Sequence, residues 1–227
     1  AYIFDNWTTS EAGDTANTPW TVVSGDVLTP ESPVVLGYSG EGYQVERTVS
    51  VDDRYLITLE DAVTNTSGGE LSLVRKGISR QHGLPDDLTN FFILHEGMIG
   101  YVGEQGLQEV DYDDLQEEGT LNFSAETNGW LGITDKYWAA AVVPTPGETY
   151  TSRFHHHVAN GRDTFQADFL GEVVELAPGA TGDHVSRLFA GAKEVNVINS
   201  YRDDPGIDRF DLMIDWGWFY FITKPLF

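Results

Sequence analysis

Hydrophobic and polar residues alternate along much of the chain. Tyr43, Val45, Val49 and Val51 make one row and Gln44, Glu46, Thr48 and Ser50 the other, the period-two signature of a strand with one face on a core and one in water. The theme returns at Tyr55, Ile57 and Leu59, and again at Leu71 and Leu73 after the turn-forming stretch Asn65 to Gly69. Farther on, Leu121, Phe123 and Ala125 oppose Asn122, Ser124 and Glu126, while Phe165, Ala167 and Phe169 oppose Thr164, Gln166 and Asp168. Glycine and proline punctuate at short intervals from Gly25 to Gly182, and no long stretch has helical periodicity. Antiparallel sheets packed face to face are the economical architecture for this pattern, which stays all-β to about Ala190.

The character changes after Gly191. Val195, Ile198 and Tyr201 fall three apart and Asp203-Asp204-Pro205-Gly206 stops them, which predicts one short helix. Trp216 to Phe221 then concentrates aromatic residues in a few positions. The expected division is a β domain over residues 1–192 and a helix with a trailing aromatic segment over 193–227.

Charge narrows the partners. The 227-residue chain has a formal charge of -23 with 13 Lys and Arg, too few to track a phosphate backbone, so nucleic acid is excluded and any membrane contact must be apolar and interfacial. There is no cysteine, hence neither a disulfide framework nor a thiolate metal site. No apolar run approaches the roughly 18 residues of a spanning helix.

Each chemical motif in turn fails a spacing test. His155 and His157 share a strand face across His156, but two ligands do not make a metal site without carboxylates from another strand. His95-Glu96 opens like a zinc-protease helix, yet Ile99 stands where the second histidine belongs. Gly97, Gly100, Gly103 and Gly106 lack the spacing of a phosphate cradle and read as turns, and Gly37-Tyr38-Ser39-Gly40 lacks the order of a nucleophile elbow. Asp111, Asp113, Asp114, Glu117 and Glu118 lack the glycine and terminal glutamate of a calcium loop and read as a solvated acidic loop. No catalytic residue, metal or cofactor is singled out, although a histidine and a carboxylate brought together by folding remain an open route to sugar chemistry.

Two stretches are specific. Gly129-Trp130-Leu131-Gly132-Ile133-Thr134-Asp135-Lys136-Tyr137-Trp138 resembles the G-W-x-G-x-T-D-K-Y-W motif in the large periplasmic domain of YidC-type bacterial membrane protein insertases. Leu188-Phe189-Ala190-Gly191-Ala192-Lys193-Glu194 is similar to the L-F-x-G-x-K-E element near that domain's end, with Ala192 where proline is common. Asp211 through Phe227, with Asp215-Trp216-Gly217-Trp218-Phe219 and Lys224-Pro225, resembles the junction leading to the family's interfacial helix and second membrane span. Leu94-His95-Glu96-Gly97 also looks familial, whereas residues before about Tyr43 match nothing recognisable.

The resemblance implies a β-supersandwich, two large antiparallel sheets related to galactose mutarotase, with short C-terminal helices. It implies a membrane span before Ala1 and an insertion groove in spans after Phe227. The chain would then be an auxiliary, non-enzymatic domain on the periplasmic side of the bacterial inner membrane, serving an insertase and chaperone of inner-membrane proteins with and without the Sec translocon. Its implied partners are SecDF and SecYEG, nascent inner-membrane proteins, and the lipid interface at the C-terminal end. Asp215, Trp216, Gly217, Trp218, Phe219, Lys224 and Pro225 would couple the domain to the membrane, or the aromatic rings would close the base of the core. Gly129, Trp130, Gly132, Thr134, Asp135, Lys136, Tyr137, Gly191, Lys193 and Glu194 would be structural. The rival readings are a carbohydrate-binding or mutarotase-like module, marked by a cleft with a Trp, a His and two carboxylates, and a chaperone, marked by an exposed apolar groove.

Overall fold

The computed structural model describes residues 2–9, 19–85, 88 and 94–215. Among these, the alternating segments become β1 (Tyr2–Thr8), β2 (Thr21–Ser24), β3 (Val34–Ser39), β4 (Tyr43–Val51), β5 (Leu56–Asn65), β6 (Leu71–His82) and β7 (Gly97–Val102). Then come β8 (Leu107–Asp111), the helix α1 (Tyr112–Glu118), β9 (Thr120–Glu126), β10 (Gly129–Thr134), β11 (Trp138–Val143) and β12 (Tyr150–Ala159). The chain continues through β13 (Arg162–Leu176) and β14 (Thr181–Ala192) to the helix α2 (Val195–Asp203) and a 3-10 turn over Phe210–Met213. A five-stranded sheet has the order β1-β6-β13-β12-β9 and a nine-stranded sheet the order β2-β3-β4-β5-β14-β11-β10-β7-β8. Neighbouring strands are antiparallel throughout.

The side-chain period of two decides the layers. Leu188 and Phe189 are consecutive on β14 and therefore face opposite ways. Leu188 joins Leu59, Leu131 and Val142 against Phe154, Phe165, Ala167 and Phe169 of the smaller sheet, the core between the sheets. Phe189 joins Leu56, Ile99, Trp130 and Ala141 on the outer face of the larger sheet, where Val197, Ile198 and Tyr201 of α2 cover them with Phe210. The ring of Phe210 meets Trp130 edge-on at 5.3 Å and Phe189 at 5.5 Å. The helix read from the spacing of Val195, Ile198 and Tyr201 is thus the lid of a second core, and the Tyr201 hydroxyl ties it to the Asp52 carboxylate at 2.6 Å.

Four details depart from the pattern reading. Thr164, Gln166 and Asp168 do not face water; they are buried on the outer face of the smaller sheet beneath long side chains such as Arg80, which donates to Gln166 at 2.6 Å. The acidic run after Asp111 is the helix α1, because Tyr112 and Leu115, three residues apart, both find the core while the carboxylates stay outside. Tyr55 precedes β5 at φ 84°, with its ring laid over Gly191, where a Cβ would come within 2.3 Å of it. Of the glycine series, Gly97 and Gly100 lie within β7, and only Gly103 and Gly106 sit in a turn.

The inward row of β4 contains Arg47, which alternation alone passes over. Between the sheets Arg47 donates from Nε and Nη2 to the two oxygens of Asp61 at 2.6 and 2.7 Å, while Arg75 donates to Asp5 at 2.7 Å. The Trp7 indole N–H adds a bond to Asp61 at 2.7 Å, and Trp20 lies against the Arg47 guanidinium at 4.7 Å. Burial alone would raise the Asp61 carboxyl, but the Arg47 hydrogen bonds and both guanidinium charges hold it below the usual carboxylate range. A single-sided deletion strands the remaining charges away from water. Arg47→Leu is therefore expected to cost about 3–5 kcal/mol in urea unfolding. The exposed neighbour change Glu46→Ala should stay within about 0.5 kcal/mol.

Candidate functional site

Register places the specific motifs at one end of the nine-stranded sheet. Thr134 closes β10 opposite Gly97 on one side and Ala139 on the other, and Trp138 opens β11 opposite Ala192. Glu96, the turn Asp135-Lys136-Tyr137 and Lys193 are each one step beyond those pairs, so three stretches far apart in sequence meet there.

Lys193 is the centre of the cluster. Its ammonium donates to the Thr134 hydroxyl at 2.7 Å and its backbone N–H to the Tyr137 carbonyl at 2.8 Å. Burial pushes the lysine below its ordinary range, and the negative charges of Asp215, Asp135, Glu96 and Glu109 oppose that push. Glu109 is shifted the other way: burial raises it, His95 counters, and Asp215 and Asp111 raise it further. Asp215 is also a tether, accepting the His95 backbone N–H at 3.0 Å, while the His95 ring bridges Asp111 at 3.0 Å and the Met98 carbonyl at 2.8 Å. The failed zinc motif thus contributes a histidine that knots β7, β8 and the C-terminal chain together.

The remaining motif residues surround this knot. Trp130 is fully buried under Phe210. Gly132 admits the Ala140 carbonyl, which a Cβ would meet at 2.1 Å, and Gly129 at φ +144° likewise leaves room for the Tyr101 carbonyl. Glu194 caps the start of α2, its carbonyl accepting the Ile198 N–H at 2.9 Å. Glu194 is exposed, as is the hairpin tip, where Tyr137 is 65% and Trp138 56% exposed with Lys136 over the Tyr137 ring at 5.2 Å. Trp216, Gly217, Trp218, Phe219, Lys224 and Pro225 lie outside the described residues. Glu96 and Glu109 were not readable as members of the cluster, since each is an ordinary carboxylate until the hairpins close.

A family model described as the YidC periplasmic domain matches residues 3–227. The chain belongs to the YidC periplasmic domain family. The match includes the stretch before Tyr43 that carried no recognisable motif. The membrane protein insertase YidC of Nitrobacter hamburgensis is 44% identical over 221 residues, covering 93% of this chain and 36% of the relative. That of Methylobacterium radiotolerans is 44% identical over 232 residues, covering 97% of this chain and 37% of the relative. The chain therefore spans little more than a third of those insertases. Among solved structures, a putative aldose 1-epimerase from Escherichia coli K12 superposes with a TM-score of 0.50 at 13% identity, covering 79% of this chain and 71% of that one. The likeness concerns the fold: this YidC domain is a mutarotase-like sandwich of two antiparallel sheets.

The histidine run lies on the other sheet of the YidC domain. His155 and His157 share its outer face as stacked rings 5.0 Å apart, and His155 contacts the Thr120 hydroxyl at 2.7 Å. No group of three or more metal-ligating side chains occurs among the described residues. Burial lowers both imidazoles, helped by Arg153 at His155 and by His155 at His157, and burial with Arg80 lowers His82 on the same face. Their folded values lie below their unfolded ones, so the stability they contribute is present above about pH 6.5 and fades as pH falls through the folded values. The melting temperature is expected to fall between about pH 7 and 5.5, and less steeply in His155→Gln/His157→Gln, measured by circular dichroism at constant ionic strength.

Proposed function

We propose that the chain is an auxiliary domain on the periplasmic side of a bacterial inner-membrane insertase, with the Lys193 end of the larger sheet facing the membrane. Residues 1–192 serve as the body and 193–227 as the segment that leads to the bilayer. The observation that carries this reading is the pair of exposed rings, Tyr137 and Trp138, on the end where Asp215 anchors the chain just before Trp216 to Phe221 in sequence. With a formal charge of -23 the domain as a whole is repelled by anionic headgroups, so aromatic rings are the suitable contact at this end, apolar body in the acyl boundary and polar tip in the headgroups. Among the described residues no helix is long and apolar enough to cross a membrane.

The insertion step in such an assembly needs no covalent chemistry, only a polar path that lowers the cost of moving polar segments into lipid. The domain's part is orientation. Its clients are nascent inner-membrane proteins, and SecDF and SecYEG are its docking partners when insertion proceeds with the translocon.

In the intact insertase, Tyr137→Ser/Trp138→Ser and Trp216→Ala/Trp218→Ala are each expected to lower client insertion into vesicles several-fold at unchanged insertase abundance. Val158→Ser, at a 63% exposed site on the smaller sheet, should leave insertion unaltered. Full activity of both aromatic variants would remove the membrane-facing assignment.

The mutarotase-like fold calls for a direct check of sugar chemistry. Optical rotation of fresh α-D-glucose or α-D-galactose is expected to relax at the buffer rate with the chain present. An acceleration abolished by Asp168→Asn or His155→Gln would replace the scaffold reading with an enzymatic one.

A further inference from the structure

Lys76 lies on the outer face of the five-stranded sheet, in register with Asn6 and Leu170. It is only 9% exposed, and its ammonium has no hydrogen-bond or ion-pair partner among the described residues. Its stem is buried while the ammonium opens toward solvent, a cation held in place with no described protein partner. The side chain lines a recess of about 620 Å³ shared with Arg153, Asn122 and Thr151.

The charge balance of the recess is positive. Asp168 is the carboxylate in its lining, and it is already saturated: Arg153 reaches both its oxygens from Nε at 3.0 and 3.1 Å, and Gln166 donates to it as well. The two terminal nitrogens of Arg153 bond to no described residue, and that side chain is 40% exposed. One guanidinium offsets Asp168, which leaves Lys76 unopposed in a protein of formal charge -23. Screening over roughly 8 Å at physiological salt keeps the distant carboxylates from cancelling this local field.

We propose that this recess binds a phosphorylated polyol. The phosphate lies between the Lys76 ammonium and the open edge of Arg153, where a dianion satisfies both cations with charge-assisted hydrogen bonds. The hydroxyls meet the Asn122 amide and the Thr151 hydroxyl, and the carbon skeleton lies on Leu170. A free sugar phosphate and the phosphoglycerol headgroup of a lipid share this chemistry. The site is on the opposite sheet from the Lys193 cluster and does not depend on the membrane-facing assignment.

The test is calorimetric titration of the 227-residue chain with glucose 6-phosphate, sn-glycerol 3-phosphate and glucose, beside co-sedimentation with phosphatidylglycerol or phosphatidylcholine vesicles. Glucose 6-phosphate is expected to bind saturably, and roughly 10- to 100-fold more weakly to Lys76→Met and to Arg153→Gln, since each removes a hydrogen bond between charged groups. Glucose should bind at least about 10-fold more weakly than its phosphate. Pelleting with phosphatidylglycerol alone, lost in the same variants, assigns the lipid headgroup as the source; phosphate binding without pelleting assigns a soluble one. Equal affinity for glucose and its phosphate, affinity unchanged in the variants, or no binding by any probe overturns the proposal. Arg153→Gln alters a half-exposed side chain and keeps the test valid should Lys76→Met fail to fold.

Discussion

Two guanidinium groups and two carboxylates buried between the sheets must find one another, and this requirement governs how the sandwich closes. Arg47 and Asp61 belong to β4 and β5 of the larger sheet, Asp5 and Arg75 to β1 and β6 of the smaller. Apolar faces tolerate sliding, because dispersion and area burial are nearly indifferent to small shifts. A charge pair is not indifferent: displaced by one residue, its groups lose their partners without regaining water. Arg47 crosses the interface to the Asp5 carbonyl at 2.6 Å and Arg75 crosses the other way to Ser186 at 2.5 Å. The network thus aligns the sheets while the aromatic cluster around Phe154, Phe165 and Phe169 supplies most of the burial.

Alignment of the sheets leaves each with a distinct outer face. That of the larger sheet is apolar across β7, β10, β11 and β14, where α2 and Phe210 close it, and polar across β4; that of the smaller sheet carries Lys76, Arg80, Arg153 and three histidines and holds no covering helix among the described residues. The division separates two candidate surfaces in space. One end of the covered sheet gathers the motif residues around Lys193 and exposes Tyr137 and Trp138, while the open face of the other sheet presents a polar recess. A mutarotase-like topology does not by itself specify a function; the surfaces built on it do.

Alternation between Tyr43 and Val51, the turn chemistry after Asn65 and the spacing of Val195, Ile198 and Tyr201 were sufficient for the antiparallel two-sheet architecture and the C-terminal helix, because those features depend on local periodicity. The rare residues from Gly129 to Trp138 and around Gly191 were sufficient for the family. Local pattern had no means of showing that Thr164, Gln166 and Asp168 are buried, since a polar row reads as solvent-facing whether water or an arginine covers it. Nor could it distinguish Arg47 and Asp61 from surface charges, or gather Glu96, Glu109, Asp135, Lys193 and Asp215 into one cluster. Those groups are spread over more than a hundred positions, and only the pairing of β7, β8, β10, β11 and β14 brings them within reach of each other's fields. Periodicity is a property of neighbours along the chain and was legible there; partnership between charges is a property of register, and the tertiary structure alone decided it.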